Sequence, residues 1–280
     1  MFILIADSGS TKTDWALMEA GNIVASLRTQ GINPFHQQEE TIVGILRDEL
    51  LPQMPFFPSE IYFYGSGVRA EFELLMCQLI TEVFPKAQHV EAHGDLLGAA
   101  IAVCGSEAGI ACILGTGANS CLYDGSRIVQ NTPPLGYILG DEGSGAVLGI
   151  RFLNALLRGR LTKRLREAFL ESQQMTEGDV IARVYRQPMA NRWLASLTPF
   201  IHEHLADPCV RNIVIGNFRD FFRMNIVPYG RHDLPVGAVG SIAWHYIAEL
   251  EEAASLEGFA ISRVLRSPLD GLVSHIASNS

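Results

Sequence analysis

Two short runs of small and hydroxyl residues are where this chain could do chemistry. Asp7-Ser8-Gly9-Ser10-Thr11-Lys12-Thr13 and Gly115-Thr116-Gly117-Ala118-Asn119-Ser120 each join apolar runs that read as strands. Turns of this composition expose successive backbone N–H groups and hydroxyls, the donors that phosphate oxygens need. Their glycines let a phosphate approach the main chain closely. Thr11, Lys12 and Thr116 add side-chain donors, and Asp7 can hold Mg²⁺ directly or through water. Either turn alone reads more readily as an ordinary hairpin. Two of them, each at the start of a similar strand meander, favour the phosphate reading.

A third segment, Gly136-Tyr137-Ile138-Leu139-Gly140-Asp141-Glu142-Gly143-Ser144-Gly145, leads into a helix predicted over 146–157. Its paired carboxylates could orient hydroxyls or a metal, or Asp141 or Ser144 could simply cap the helix. A fourth, Val236-Gly237-Ala238-Val239-Gly240-Ser241, runs from a strand into a helix start, and its small residues leave room for a flat ring. Asp95 follows a predicted strand and opens a predicted helix, which puts its carboxylate at the carboxyl end of a sheet, where α/β sites form. A capping role is compatible with that. Asn33, just before Pro34, reads by itself as a turn residue. Gly65-Ser66-Gly67-Val68-Arg69-Ala70 fits the G-x-G-x-x-G/A dinucleotide pattern, and Glu91 follows roughly where an acidic ribose partner belongs. That pattern is not at the start of the fold, however, and it leaves both hairpins unexplained. No G-x-x-x-x-G-K-[ST] sequence occurs, which argues against a P-loop enzyme.

The elements that must position these residues alternate between strand and helix, an α/β pattern. Strands are expected over 2–6, 15–18, 23–27, 61–64 and 88–91, with the 23–27 strand entered through a Gly21-Asn22 turn. Helices are expected over 41–51, 69–84 and 96–104. At 105–109 the pattern restarts, with strands over 110–114, 120–123 and 128–130. The chain is then largely helical to about residue 229. Strand 235–238, helix 241–255, strand 259–265 and a helix near 268–276 complete it. The expected domains are 1–108 and 109–280.

The 280 residues are 48% apolar and 18% charged, the balance of an ordered globular chain. Thirty acidic against 21 basic residues give a net charge of −9, which argues against binding a nucleic-acid backbone. No apolar run is long enough to span a bilayer, so no membrane partner is expected. The 2–6 run lacks the basic flank and length of a signal segment. Five cysteines without a C-x-x-C spacing suit buried thiols in a reducing cytoplasm.

Taken together and in order, these residues resemble the sugar-kinase/actin/chaperone ATPase superfamily, and within it the N-acetylglucosamine kinase branch of the BadF/BadG/BcrA/BcrD ATPase family. The resemblance spans essentially the whole chain. It is carried by 7–13 and 115–119 as two phosphate loops, by 140–145 with Gly136 and Tyr137, and by 237–241 as an adenosine motif. It implies two ribonuclease-H-like domains closing over MgATP across an interdomain cleft, and transfer of the γ-phosphoryl to a sugar hydroxyl. It also implies Asp95 as the catalytic base. Ser10, Thr11, Lys12, Gly115, Thr116, Gly117, Gly240 and Ser241 would contact the nucleotide. Asn33, Asp95, Asn119, Gly136, Tyr137 and Asp141 would contact the sugar, and Asp7 the metal. Tyr137 stands where the eukaryotic kinases usually carry Trp, and Ser8 and Ser10 replace loop glycines. N-acetylglucosamine phosphorylated at its 6-hydroxyl is the expected reaction, with another hexose or amino sugar, such as glucosamine, as the alternative. A homodimer is compatible with the sequence. A second reading from the same family is an ATPase activating a reductase or dehydratase through a cysteine-held iron–sulfur cluster. The scattered cysteines, lying mostly in apolar runs, suit it poorly. A non-catalytic sugar sensor would need neither both loops nor Asp95.

Overall fold

The apolar run that opens the chain becomes the centre of a five-stranded sheet. In the computed structural model, which describes residues 1–9 and 11–279, the chain divides into two compact units. The first comprises Met1–Ala108, Tyr123–Ile128 and Ser267–Ser280, and the second Gly109–Leu122 and Val129–Arg266.

In the first unit, β1 (Phe2–Ser8), β2 (Lys12–Glu19), β3 (Asn22–Gln30), β4 (Glu60–Gly65) and β5 (His89–Gly94) lie in the order β3-β2-β1-β4-β5. β1 is antiparallel to β2 and parallel to β4, and β4 is parallel to β5. The middle of β1 is buried, as a central strand covered on both faces must be. Period-2 alternation on β4 sends Ile61 and Phe63 into a core with Trp15, Met76 and Ile80. Tyr64 points the other way, against Gly98 of the helix Asp95–Cys104. The final helix, Pro268–Asn279, belongs to this unit and packs on Asp95–Cys104, β1 and β2. Among the described residues no helix is long and apolar enough to cross a membrane.

The second unit repeats the plan. β6 (Gly109–Leu114), β7 (Ala118–Tyr123), β8 (Ile128–Asn131), β9 (Val236–Val239) and β10 (Ile261–Leu265) lie in the order β10-β9-β6-β7-β8. β9 runs parallel to both β6 and β10. Each sheet thus has a central first strand, its meander on one side and two later parallel strands on the other. This is the expected two-sheet α/β architecture. A phenylalanine-rich core joins the second sheet to the helices Gly145–Leu157 and Pro208–Phe221.

Local boundaries differ from the sequence reading for identifiable reasons. The β2–β3 turn is Ala20-Gly21 rather than Gly21-Asn22; both its residues have positive φ, as a twist-matched two-residue hairpin demands. The helix expected over 41–51 starts at Glu39, widens to π geometry over Ile45–Leu50 and tightens at Leu51–Gln53, where Pro52 cannot donate a hydrogen bond. The helix expected over 241–255 breaks at Tyr246 into Ser241–His245 and Ile247–Leu256. Tyr246 is buried, and its hydroxyl donates to the Thr198 carbonyl.

Candidate active site

In the first unit, β1, β4 and β5 run parallel and end level, with Ser8, Gly65 and Gly94 in register. Their carboxyl ends are where open α/β sheets build ligand sites. β5 extends three residues beyond the expected strand, so Asp95 follows it directly and is the first residue of its helix. The N-cap is Gly94, in an extended conformation, so Asp95 stands one residue inside the helix, with its carboxylate near the helix's first N–H groups. Burial raises its pKa above the usual carboxylate range, and the N–H groups of Leu96 and of Asp95 itself partly offset the rise. Asp7, near the end of β1, is pushed up to about 6 by burial; the Ser267 hydroxyl partly offsets the rise and the nearby Asp95 charge adds to it. Ser267 Oγ donates to Asp7 Oδ2 at 3.0 Å.

The first loop is held by its own hydroxyls. Ser8 and Thr13 bond to each other at 2.7 Å, and both are buried. The Gly9 N–H donates to the Lys12 carbonyl. Thr11 is exposed, and the Lys12 ammonium pairs with Asp14, which also takes Arg28 at 2.7 Å. Ser10 lies outside the described residues.

Asn33 is more than a turn residue. Its Oδ1 accepts from the Phe35 N–H at 3.0 Å, and its carboxamide lies directly on Gly67. A Cβ on Gly67 would come within 2.0 Å of Asn33 Oδ1, and its φ of +78° favours glycine independently. Gly65 has a similar packing reason, since a Cβ there would sit 2.5 Å from the Phe63 ring. The glycines that mimic a dinucleotide fingerprint therefore admit Asn33 and Phe63. Between them, the Ser66 hydroxyl is buried and has no hydrogen-bond partner among the described residues. Sequence reasoning passed over it because a serine between two glycines reads as a turn.

In the second unit, the loop after β6 folds tightly, with the Gly115 N–H donating to the Gly117 carbonyl at 3.0 Å. The helix Gly145–Leu157 docks its first N–H groups on the carbonyls of Gly115 and Thr116. Its N-cap is Ser144, whose Oγ accepts from the Val147 N–H at 3.1 Å. Asp141 is thereby released from capping. It sits at φ +57°, and its carboxylate accepts from the backbone N–H groups of Gly136 and Ala118. Burial raises its pKa, with Glu142 adding to the rise. A Cβ on Gly117 would stand 3.0 Å from Asp141 Oδ2, so loop and carboxylate are in contact. Asn119 Oδ1 accepts from the Ser120 N–H and from Asn131 Nδ2, both at 2.9 Å. Tyr137 is half-buried against the core, on the short helix Gly136–Leu139. Gly240, at φ +116°, fits where a Cβ would strike the Leu114 carbonyl oxygen at 2.3 Å. This brings Gly240 onto the end of β6, beside the 115–117 loop, with Ser241 exposed next to it.

No family model matches the chain, and no curated protein does. Among solved structures, a candidate N-acetylglucosamine kinase from Porphyromonas gingivalis is 45% identical over 99% of both chains, with a TM-score of 0.95. The chain belongs to the N-acetylglucosamine kinase branch of the sugar-kinase/actin/chaperone ATPase superfamily. It is a sugar kinase. A candidate N-acetylglucosamine kinase from Chromobacterium violaceum shares the fold of this kinase at 19% identity, 98% coverage of both chains and a TM-score of 0.74. The ROK hexokinase of Thermus thermophilus does so at 16% identity, covering 99% of this chain and 98% of its own, with a TM-score of 0.53.

Proposed function

We propose that this kinase transfers the γ-phosphoryl of MgATP to the 6-hydroxyl of N-acetylglucosamine, with Asp95 as the general base. The observation that carries the reading is the pair Asp7 and Asp95. The two carboxylates stand at the carboxyl ends of β1 and β5, on either side of β4; both are made more basic by burial, and the Asp95 charge adds to the rise at Asp7. A base with a raised pKa is better matched to accepting a hydroxyl proton near neutrality. Asp95 takes the proton from the sugar hydroxyl as that oxygen bonds to the γ-phosphorus, and the bond from phosphorus to the bridging oxygen breaks to release ADP.

The donor set suits Mg²⁺. Among the described residues no group of three or more His, Cys, Asp or Glu could enclose a metal. Mg²⁺ commonly takes one or two carboxylates and fills its other positions with water and phosphate oxygens. Asp7 would hold it, since among the described residues no cation pairs with it, while Lys12 and Arg28 pair with Asp14. When bound, the ion neutralises charge that develops on the transferring phosphoryl group.

Ser10, Thr11, Lys12, Gly115, Thr116, Gly117, Gly240 and Ser241 would contact the nucleotide. Asn33, Asp95, Asn119, Gly136 and Asp141 would read sugar hydroxyls. Tyr137 would pack on an apolar part of the ring. A coupled ATP-consumption assay across N-acetylglucosamine, glucosamine, glucose and other hexoses tests the reading. Turnover should be highest with N-acetylglucosamine; turnover no better than with glucose or glucosamine would refute the substrate.

A further inference from the structure

We infer that Ser267 is a positioning residue for Asp7: the first residue of the returning C-terminal segment fixes one carboxylate oxygen and leaves the other for the cation. The inference rests on the metal role proposed for Asp7. Ser267 immediately precedes the helix Pro268–Asn279. Its Oγ accepts the Leu269 N–H at 3.3 Å and donates to Asp7 Oδ2 at 3.0 Å. A serine hydroxyl has one proton. With a backbone donor facing its lone pair, that proton is directed at Asp7, so Oδ2 is held as an acceptor and Oδ1 stays available.

The surroundings make this contact matter. Asp7 lies opposite Asp14 on β2, yet Lys12 and Arg28 both bond to Asp14. The Asp95 charge also acts against the Asp7 carboxylate. Among the described residues, Ser267 is the side chain that hydrogen-bonds Asp7. It is also rigidly seated. The helix it starts packs on β1, β2 and Asp95–Cys104, and a Cβ on Gly271 would come within 2.4 Å of the Ala102 carbonyl oxygen. A partner that orients a metal-binding carboxylate is worth about 10–100-fold in metal affinity when removed.

The test measures Mn²⁺ binding by calorimetry, with a non-hydrolysable ATP analogue saturating, in Ser267→Ala, Ser267→Gly and Ser267→Thr. Glycine is tolerated at a helix start nearly as well as serine, so Ser267→Gly removes the donor while sparing the helix. Melting midpoints verify the fold of each variant. The alanine and glycine variants should bind Mn²⁺ about 10–100-fold more weakly. The threonine variant, which keeps the hydroxyl, should stay within a few-fold of wild type. Wild-type Mn²⁺ affinity in Ser267→Gly, or a threonine variant as weak as glycine, would overturn the inference. Asp7→Asn separates the layers. If it loses Mn²⁺ while Ser267→Gly does not, the positioning role alone is wrong. If Asp7→Asn binds Mn²⁺ normally, the metal assignment falls and the inference with it.

Discussion

The carboxylates Asp7, Asp14 and Asp95 differ from one another in their surroundings. Asp14 pairs with two cations, whereas Asp7 and Asp95 have no cationic hydrogen-bond partner among the described residues and become more basic through burial. Asp95→Asn keeps the shape and the first helical turn but removes the base. Its kcat should fall by about 10²–10⁴, with the melting midpoint at or above wild type, because a buried charge is removed. Loss of fold with intact specific activity in the folded fraction would show that Asp95 is structural. Asp141 supplies a pH test. Burial raises its folded pKa above the unfolded value, so the folded state holds a proton that the unfolded state has released. Its contribution is therefore most favourable below the unfolded carboxylate pKa and declines as pH rises through the raised folded value. Asn tolerates the left-handed backbone at this position and cannot ionise. The stability of Asp141→Asn relative to wild type should therefore increase from acid toward neutral pH, as followed by denaturant melts. A difference independent of pH would contradict the assigned burial.

At the scale of elements, glycines decide which side chain reaches which strand end. Gly67 turns the chain after β4 in a left-handed conformation and leaves space that the Asn33 carboxamide fills. Gly67→Ala introduces both backbone strain of roughly 1–2 kcal/mol and a collision with Asn33. The expected result is a KM for the sugar raised several-fold, with ATP affinity little changed, measured by steady-state kinetics with each substrate varied. Unchanged sugar KM would remove Asn33 from the substrate site. The same logic explains why the third motif was ambiguous in sequence. Asp141 and Ser144 are both good capping types three residues apart, and only the fold shows that Ser144 caps while Asp141 bonds back to Gly136 and Ala118.

At the scale of the molecule, one plan is used twice: a central strand, a meander on one side and two parallel strands on the other. The chain then returns to its first unit through Pro268–Asn279, whose Leu272 is fully buried. Leu272→Ala should destabilise that unit by about 2–5 kcal/mol, read from chemical denaturation. A loss under 0.5 kcal/mol would mean the returning helix contributes little to the first unit's stability.

Local chemistry along the chain was enough to determine much of this. Strand alternation, helical periodicity and paired glycine-hydroxyl turns gave the α/β class and the internal repetition, because each depends on neighbours a few residues apart. The resemblance carried by those motifs identified the sugar-kinase family. Three things depended on tertiary structure: that Asp95 begins its helix behind a longer β5, that Gly65 and Gly67 serve Phe63 and Asn33, and that Ser267 meets Asp7. The first turns on where a strand pairing stops, and the second on which side chain fills a glycine's space. The third joins residues at opposite ends of the chain, a contact that no local periodicity or spacing encodes, because it exists only once the last helix has packed on the first sheet.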